Sequence, residues 1–276
     1  MIPTAENYFS PEANREYFSV SQFKSFLDCE ACAMAELRGE YQREETTALL
    51  VGSYVDAHFS RTLDLFRAQH PDIYTHTGSL KSDYQQADEI IARLERDPLA
   101  MMMLDGNIQS IYTGTIQGIP FKAKLDCLLS ADQCDKIAAA YPRMDDLLFA
   151  SGAIVDLKIM RDFKPQYKEG EGKLSFIDFW KYDLQLAIYQ RLFAQQNEGE
   201  LFPCYILGAT KEKVTDIGLF RIPQEQLDAA IEVYTPEMLP HAAAVKAGEI
   251  EPERCGECDY CKQSKILTCG QLLGDY

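Results

Sequence analysis

Two sets of residues in this chain have the types and spacing to do chemistry. The first is Asp156-Leu157-Lys158, which ends the apolar run Ala153-Ile154-Val155. In a strand, the period of two puts its carboxylate and ammonium on one side, about 6 to 7 Å apart. The carboxylate suits a hard Mg2+ or Mn2+ ion, while the ammonium can orient or activate water and offset charge developing on a phosphate. Asp126, at the end of Phe121-Lys122-Ala123-Lys124-Leu125-Asp126, adds a second carboxylate if its strand pairs with that of Asp156. Two acids brought that close are costly without a cation between them. The second set is Cys255-Gly-Glu-Cys258-Asp-Tyr-Cys261. Cys-x2-Cys-x2-Cys is a run that ligates a [4Fe-4S] cluster, with the remaining thiolate supplied from elsewhere, for which Cys29 is a distant candidate. A four-thiolate Zn2+ site is the other chemistry open to these thiols. Cys32 and Cys269 are further ligands within reach of either choice.

Three more residues join the first set through helical spacing. Gln185 and Tyr189 are four apart, with Tyr182 one turn earlier, so all three project from one face, where an amide and a phenol can reach a phosphate or a nucleobase. His58 falls on the same side of its helix as Leu50, Tyr54, Val55, Thr62 and Phe66 and is expected to face inward, as a metal ligand or as a hydrogen-bonded core residue.

The elements that must position these groups follow from periodicity and punctuation. Helices are expected over 19–39, about 46–67, and 82–96, the last ended by Asp97-Pro98. From about 108 to 129 the period changes to that of two antiparallel strands, with Gly118-Ile119-Pro120 as the turn. The stretch 132–151 reads as an insertion, and 153–158 as a short buried strand. A helix over 176–196, strands at 204–210 and 217–222, and a long helix over 224–248 complete the order. That order indicates an α/β domain with a mixed central sheet flanked by helices. We read residues 1–276 as a single domain with its core at about 46–222, the helix at 19–39 and the cysteine motif at 255–269 forming a metal clasp.

Composition sets further bounds. The formal net charge is −16, from 27 basic and 43 acidic residues, a poor footprint for holding a polyanion unless basic groups concentrate locally or divalent cations screen the acids. Arg161, Lys164, Lys168 and Lys173 form one such concentration. The polar beginning of the chain and the lack of a long apolar run indicate a cytoplasmic protein without a membrane span. Nine cysteines in a reducing compartment point to metal rather than disulfides, with Cys127, Cys134 and Cys204 as core residues.

Taken together, Ser21-x7-Cys29, Gly52 to His58, Lys124-Leu125-Asp126, Val155-Asp156-Leu157-Lys158, Tyr182-x2-Gln185-x3-Tyr189 and Arg254 to Cys261 make the chain resemble the RecB-like branch of the PD-(D/E)xK nucleases, and within it the phage and prophage RecE-type exonucleases. The resemblance covers nearly the whole chain. It implies a restriction-endonuclease-like core and a metal-dependent exonuclease acting on linear duplex DNA during phage-type recombination, in a bacterial or phage-infected cell. It also implies that His58, Asp126, Asp156 and the backbone carbonyl of Leu157 bind the metal. Lys158 would position or activate water, and Gln185 and Tyr189 would lie beside the scissile phosphate. Cys29 with Cys255, Cys258 and Cys261 would hold a structural iron-sulfur cluster. Many relatives carry a carboxylate one helical turn after the histidine, where this chain has Thr62. A homo-oligomeric ring and a single-strand annealing protein as partner are further implications of the likeness. The competing reading is a catalytically silent protein that uses the same fold to bind nucleic acid or a partner.

Overall fold

The computed structural model describes residues 2–266, so Cys269 lies outside the described part. Seven helices come first: α1 (Pro11–Glu16), α2 (Val20–Asp28), α3 (Glu30–Arg38), α4 (Thr47–Phe59), α5 (Leu63–Gln69), α6 (Ser82–Glu95) and α7 (Pro98–Leu104). Strands β1 (Asn107–Ile116) and β2 (Ile119–Ser130) follow, then α8 (Ala131–Ala140), β3 (Gly152–Met160), and a small hairpin, β4 (Gln166–Lys168) with β5 (Gly172–Leu174). The chain continues through α9 (Phe176–Phe179), α10 (Tyr182–Gln196), β6 (Cys204–Thr210), β7 (Ile217–Ile222), α11 (Gln224–Tyr234), α12 (Met238–Ala247) and α13 (Asp259–Gln263).

The main sheet has the order β1-β2-β3-β6-β7 and is mixed: β3 and β6 run parallel, while the other neighbours pair antiparallel. The crossover between β3 and β6 carries α10, as parallel pairing requires a long connection. One face of the sheet packs Phe121, Leu125, Ile154 and Ile206 against Leu186 and Ile188 of α10 and Phe23 of α2. The other packs Val155, Leu157 and Leu207 against Tyr54 of α4, Ile90 of α6 and Ile137 of α8. Being central and covered on both faces, β3 is buried from Gly152 through Leu157.

Several expected elements come out divided, each for a local reason. The helix expected over 19–39 breaks at Cys29, whose extended backbone (φ −166°, ψ 108°) ends α2 and begins α3. The C-terminal segment takes up a backbone donor at that break, Ala31 N–H donating to the Glu253 carbonyl at 3.0 Å. The 46–67 helix stops at Phe59, where Arg61 adopts φ +60°, and 224–248 is interrupted at Pro236. Trp180 and Lys181, the latter at φ +51°, separate α9 from α10. The hairpin turn is Gln117-Gly118, both at positive φ as a two-residue turn demands, and Pro120 lies within β2. The expected insertion at 132–151 instead contributes α8, started by a capping box between Ser130 and Gln133 and buried through Cys134, Ile137 and Ala138.

Candidate active site and cysteine cluster

Strands β2 and β3 pair from Ser130↔Gly152 to Cys127↔Val155 and then part. Beyond the fork, β2 is bridged instead by the N-terminal segment: Phe18 N–H donates to the Pro120 carbonyl at 2.9 Å, and Lys122 N–H to the Phe18 carbonyl at 2.8 Å. The alternation of β2 also slips at this point. Phe121, Ala123 and Leu125 pack on the α10 side, whereas Cys127 and Leu129 pack on the α4 side. Asp126 sits at the slip, opposite Gln109 in β1 with φ +55°. Its carboxylate accepts the Leu157 N–H at 3.0 Å, replacing the ladder bond that the parting strands forgo.

Asp156 and Lys158 point to the α10 side, as their period predicts. Asp156 is 2% exposed, and Lys158 Nζ lies 2.5 Å from its Oδ2. The other oxygen accepts Gln185 Nε2 at 2.9 Å, and the same amide donates to the Tyr189 phenol at 3.4 Å. Tyr182 offers its ring to two ammoniums, Lys158 and Lys24, each 5.4 Å from the centroid. Burial, and then the neighbouring charge of Asp156, push the Asp126 carboxyl well above the usual range. For Lys158, burial favours the neutral form, but Asp156 and Asp126 outweigh it and hold the ammonium above the ordinary lysine range.

His58 is not brought to this cluster. Its Nε2 pairs with Glu95 Oε1 at 2.9 Å, and it lines a separate cleft with Arg61, Met101 and Asp105. Asp56 lines the small cleft that also contains Asp126 and Leu157. Residues two positions apart on a helix, as Asp56 and His58 are, differ by about 200° in direction, so if one of them meets the carboxylates the other turns away. Burial raises the Asp56 carboxyl against the pull of Lys124 and Lys158. Sequence reasoning passed over Asp56, although Gly52-Ser53-Tyr54-Val55-Asp56 lay within the segment carrying the likeness. Thr62 lies outside α4 altogether.

The acids are neighbours that offer the hard oxygen donors a divalent cation takes. Asp156 Oδ2 is a buried oxygen without an assigned hydrogen-bond partner, and the Lys158 ammonium lies 2.5 Å from it. Asp126 and Asp56 supply the further hard donors. The expected basic loop contributes less, because Arg161 pairs with Asp162, Lys164 with Glu212 and Lys168 with Glu171.

Among the described residues, Cys29, Cys255, Cys258 and Cys261 have their sulfurs all within 4.8 Å of one another. Cys29 Sγ lies 3.6 Å and Cys255 Sγ 3.9 Å from Cys261 Sγ. Backbone N–H groups of Cys258 and Cys261 point at the sulfurs of Cys255 and Cys258, and the first of these contacts helps lower the Cys255 thiol to about 6. Cys32 is set apart from the four, its sulfur accepting Arg43 Nη2 at 3.7 Å.

No curated protein matches this chain. It is similar to a crystallised protein from Eubacterium rectale, described as "Putative exonuclease", at 38% identity and a TM-score of 0.86, over 99% of this chain and 97% of that one. The model of a PDDEXK-like domain of unknown function matches residues 19–135 and 141–264. With five mixed strands, a carboxylate pair at the β2–β3 fork and that match across most of its length, the chain belongs to this PDDEXK-like family within the PD-(D/E)xK superfamily.

Proposed function

We propose that the protein is a divalent-metal-dependent DNA exonuclease that hydrolyses phosphodiester bonds of linear duplex DNA. The observation that carries this reading is the β2–β3 fork, where Asp126 and the buried Asp156 meet Lys158 on one strand edge. Asp126, Asp156 and Asp56 would hold Mg2+ or Mn2+, which would supply Lewis acidity toward the phosphate and lower the pKa of water. Lys158, kept charged by its two carboxylate neighbours, orients the attacking water and balances charge gathering on the phosphate. Gln185 holds Asp156 through its amide N–H. Tyr189 stays a protonated phenol, since burial and then Asp156 drive its pKa upward. Degradation from a DNA end, a role in phage-type recombination, a homo-oligomer and a single-strand annealing partner rest on the sequence resemblance. No helix among the described residues is long and apolar enough to cross a membrane.

The test is digestion of end-labelled linear duplex against covalently closed circular DNA, with Mg2+, Mn2+ or EDTA, for wild type and Lys158→Ala. Cation-dependent loss of linear DNA alone, abolished in the variant, is the expected result. Cleavage of circles would make the enzyme an endonuclease, and binding without cleavage would leave the catalytically silent reading.

The cysteine cluster is the clasp between chain ends, joining residues 232 positions apart. The Cys-x2-Cys-x2-Cys run favours a [4Fe-4S] cluster. A specific observation favours zinc: Zn–S bonds of about 2.3 Å put tetrahedral sulfurs about 3.8 Å apart, the spacing of the 3.6 and 3.9 Å pairs. Elemental analysis for iron, sulfide and zinc, with the visible spectrum of protein purified without oxygen, decides between them.

A further inference from the structure

A lysine far away in sequence reaches the same catalytic edge. Lys24, on α2, donates from Nζ to the Trp180 carbonyl at 2.9 Å and to Gln185 Oε1 at 3.3 Å. Gln185 in turn donates to Asp156, so Lys24 stands one side chain away from the buried carboxylate. Its ammonium shares the Tyr182 ring with that of Lys158. The next position on the same face of α2, Asp28, accepts Lys181 Nζ at 3.3 Å, and the residue after it is Cys29 of the cluster.

Two features of this arrangement call for an anion. An ammonium has three donors, and protein acceptors engage two of those of Lys24. Lys158 already has Asp156 as its close counter-charge, whereas among the described residues Lys24 forms no ion pair and is bonded only to neutral oxygens. Desolvation and then repulsion by Lys158 push Lys24 down to about 7, which disfavours its charged form, and the negative charge of an incoming phosphate would favour the ammonium.

We propose that Lys24 is a substrate ligand, a point charge that binds a backbone phosphate of the DNA strand at or next to the scissile bond. This rests on the nuclease reading and adds a residue from the clasped N-terminal helix to the phosphate-binding groups. Because Lys24 holds Gln185 by its carbonyl oxygen, it also turns the amide N–H toward Asp156. The cysteine clasp thereby fixes the helix that delivers this charge.

The experiment measures binding of a fluorescein-labelled linear duplex by anisotropy across a salt series, with Ca2+ replacing Mg2+, for wild type, Lys24→Met and Lys24→Arg, together with kcat/KM in Mg2+. Losing one phosphate contact reduces the slope of log K against log salt by about 0.7 to 0.9. Lys24→Met is expected to show that reduction, with about 10- to 100-fold lower kcat/KM, and Lys24→Arg to restore the slope. A merely structural role would lower activity without changing the slope, and that result overturns the proposal while leaving the nuclease reading intact. If Lys24→Met fails to fold, Lys24→Gln takes its place under the same criterion. If wild type neither cleaves DNA nor binds it with a salt-dependent slope, both readings fall.

Discussion

Replacing Lys158 by Met would remove the close counter-ion of Asp156 at the β2–β3 fork, where Asp126 is the second acid. The methylene stem is retained, so packing changes little and the effect is electrostatic. Lys158 has a side chain 20% exposed, 2.5 Å from an Asp156 carboxylate that is 2% exposed. Breaking a fully buried pair costs about 3 to 5 kcal/mol, and the partial exposure of the lysine argues for the lower end, about 3 kcal/mol. Unfolding entropy scales at about 2.1 cal/mol/K per residue, so for 276 residues this lowers Tm by about 5 °C. In EDTA, the Lys158→Met protein should therefore melt about 5 °C below wild type. Adding Mg2+ should recover more stability in the variant than in wild type, because a cation at the carboxylates replaces the missing charge. The assay is a pair of thermal scans by circular dichroism, with and without Mg2+, alongside urea titration to check that m is unchanged. A variant as stable as wild type in EDTA would refute the reasoning, since it would show that Asp126 and Asp156 need no cation between them.

Three further outcomes are expected. Asp56→Asn should reduce Mg2+-dependent DNA hydrolysis by about 100-fold, on the scale of a lost preorganised charge, whereas His58→Ala, which removes a partly exposed pair with Glu95, should leave the rate within about 2-fold and stability within about 1 kcal/mol; the reverse order in an end-labelled digestion assay would restore the histidine as the ligand. Ser130→Ala, by removing the capping box of α8, should cost about 1 kcal/mol in urea unfolding and leave nuclease activity unchanged. Lys246 donates to the Tyr17 carbonyl and Gln22 Oε1, yet burial, and then the charge of Lys122, push it down to about 7. Since its folded pKa lies below the unfolded value near 10.4, the unfolded chain binds more protons between the two, and stability contributed by this group rises with pH from about 7 to 10. Lys246→Met should flatten that rise by on the order of 1 to 2 kcal/mol, read from urea midpoints at pH 7 and 9.5, and an unchanged slope would count against it.

What the chain reveals before folding is whatever depends on near neighbours. Asp156 and Lys158 share a side because strand geometry has a period of two, and Gln185 and Tyr189 share a face because they are four apart on α10. The cysteine spacing marks a candidate metal site for the same local reason, and the mixed sheet follows from the order of periodic segments. Tertiary structure decided the rest. Helix α4 is apolar on most sides, with Val51, Tyr54, Val55 and Ala57 all buried, so its pattern could not say whether Asp56 or His58 turns to the acids; the docking of α4 against β3 does. The break at Cys29 depends on a backbone acceptor supplied by Glu253, and the slip of β2 at Asp126 on the N-terminal segment that takes β3's place as its neighbour. Lys24 meets Gln185 across 161 positions. No periodicity records a contact of that separation, because it is the packing of whole elements, stabilised by burial on two faces of the sheet, that sets which side chains meet.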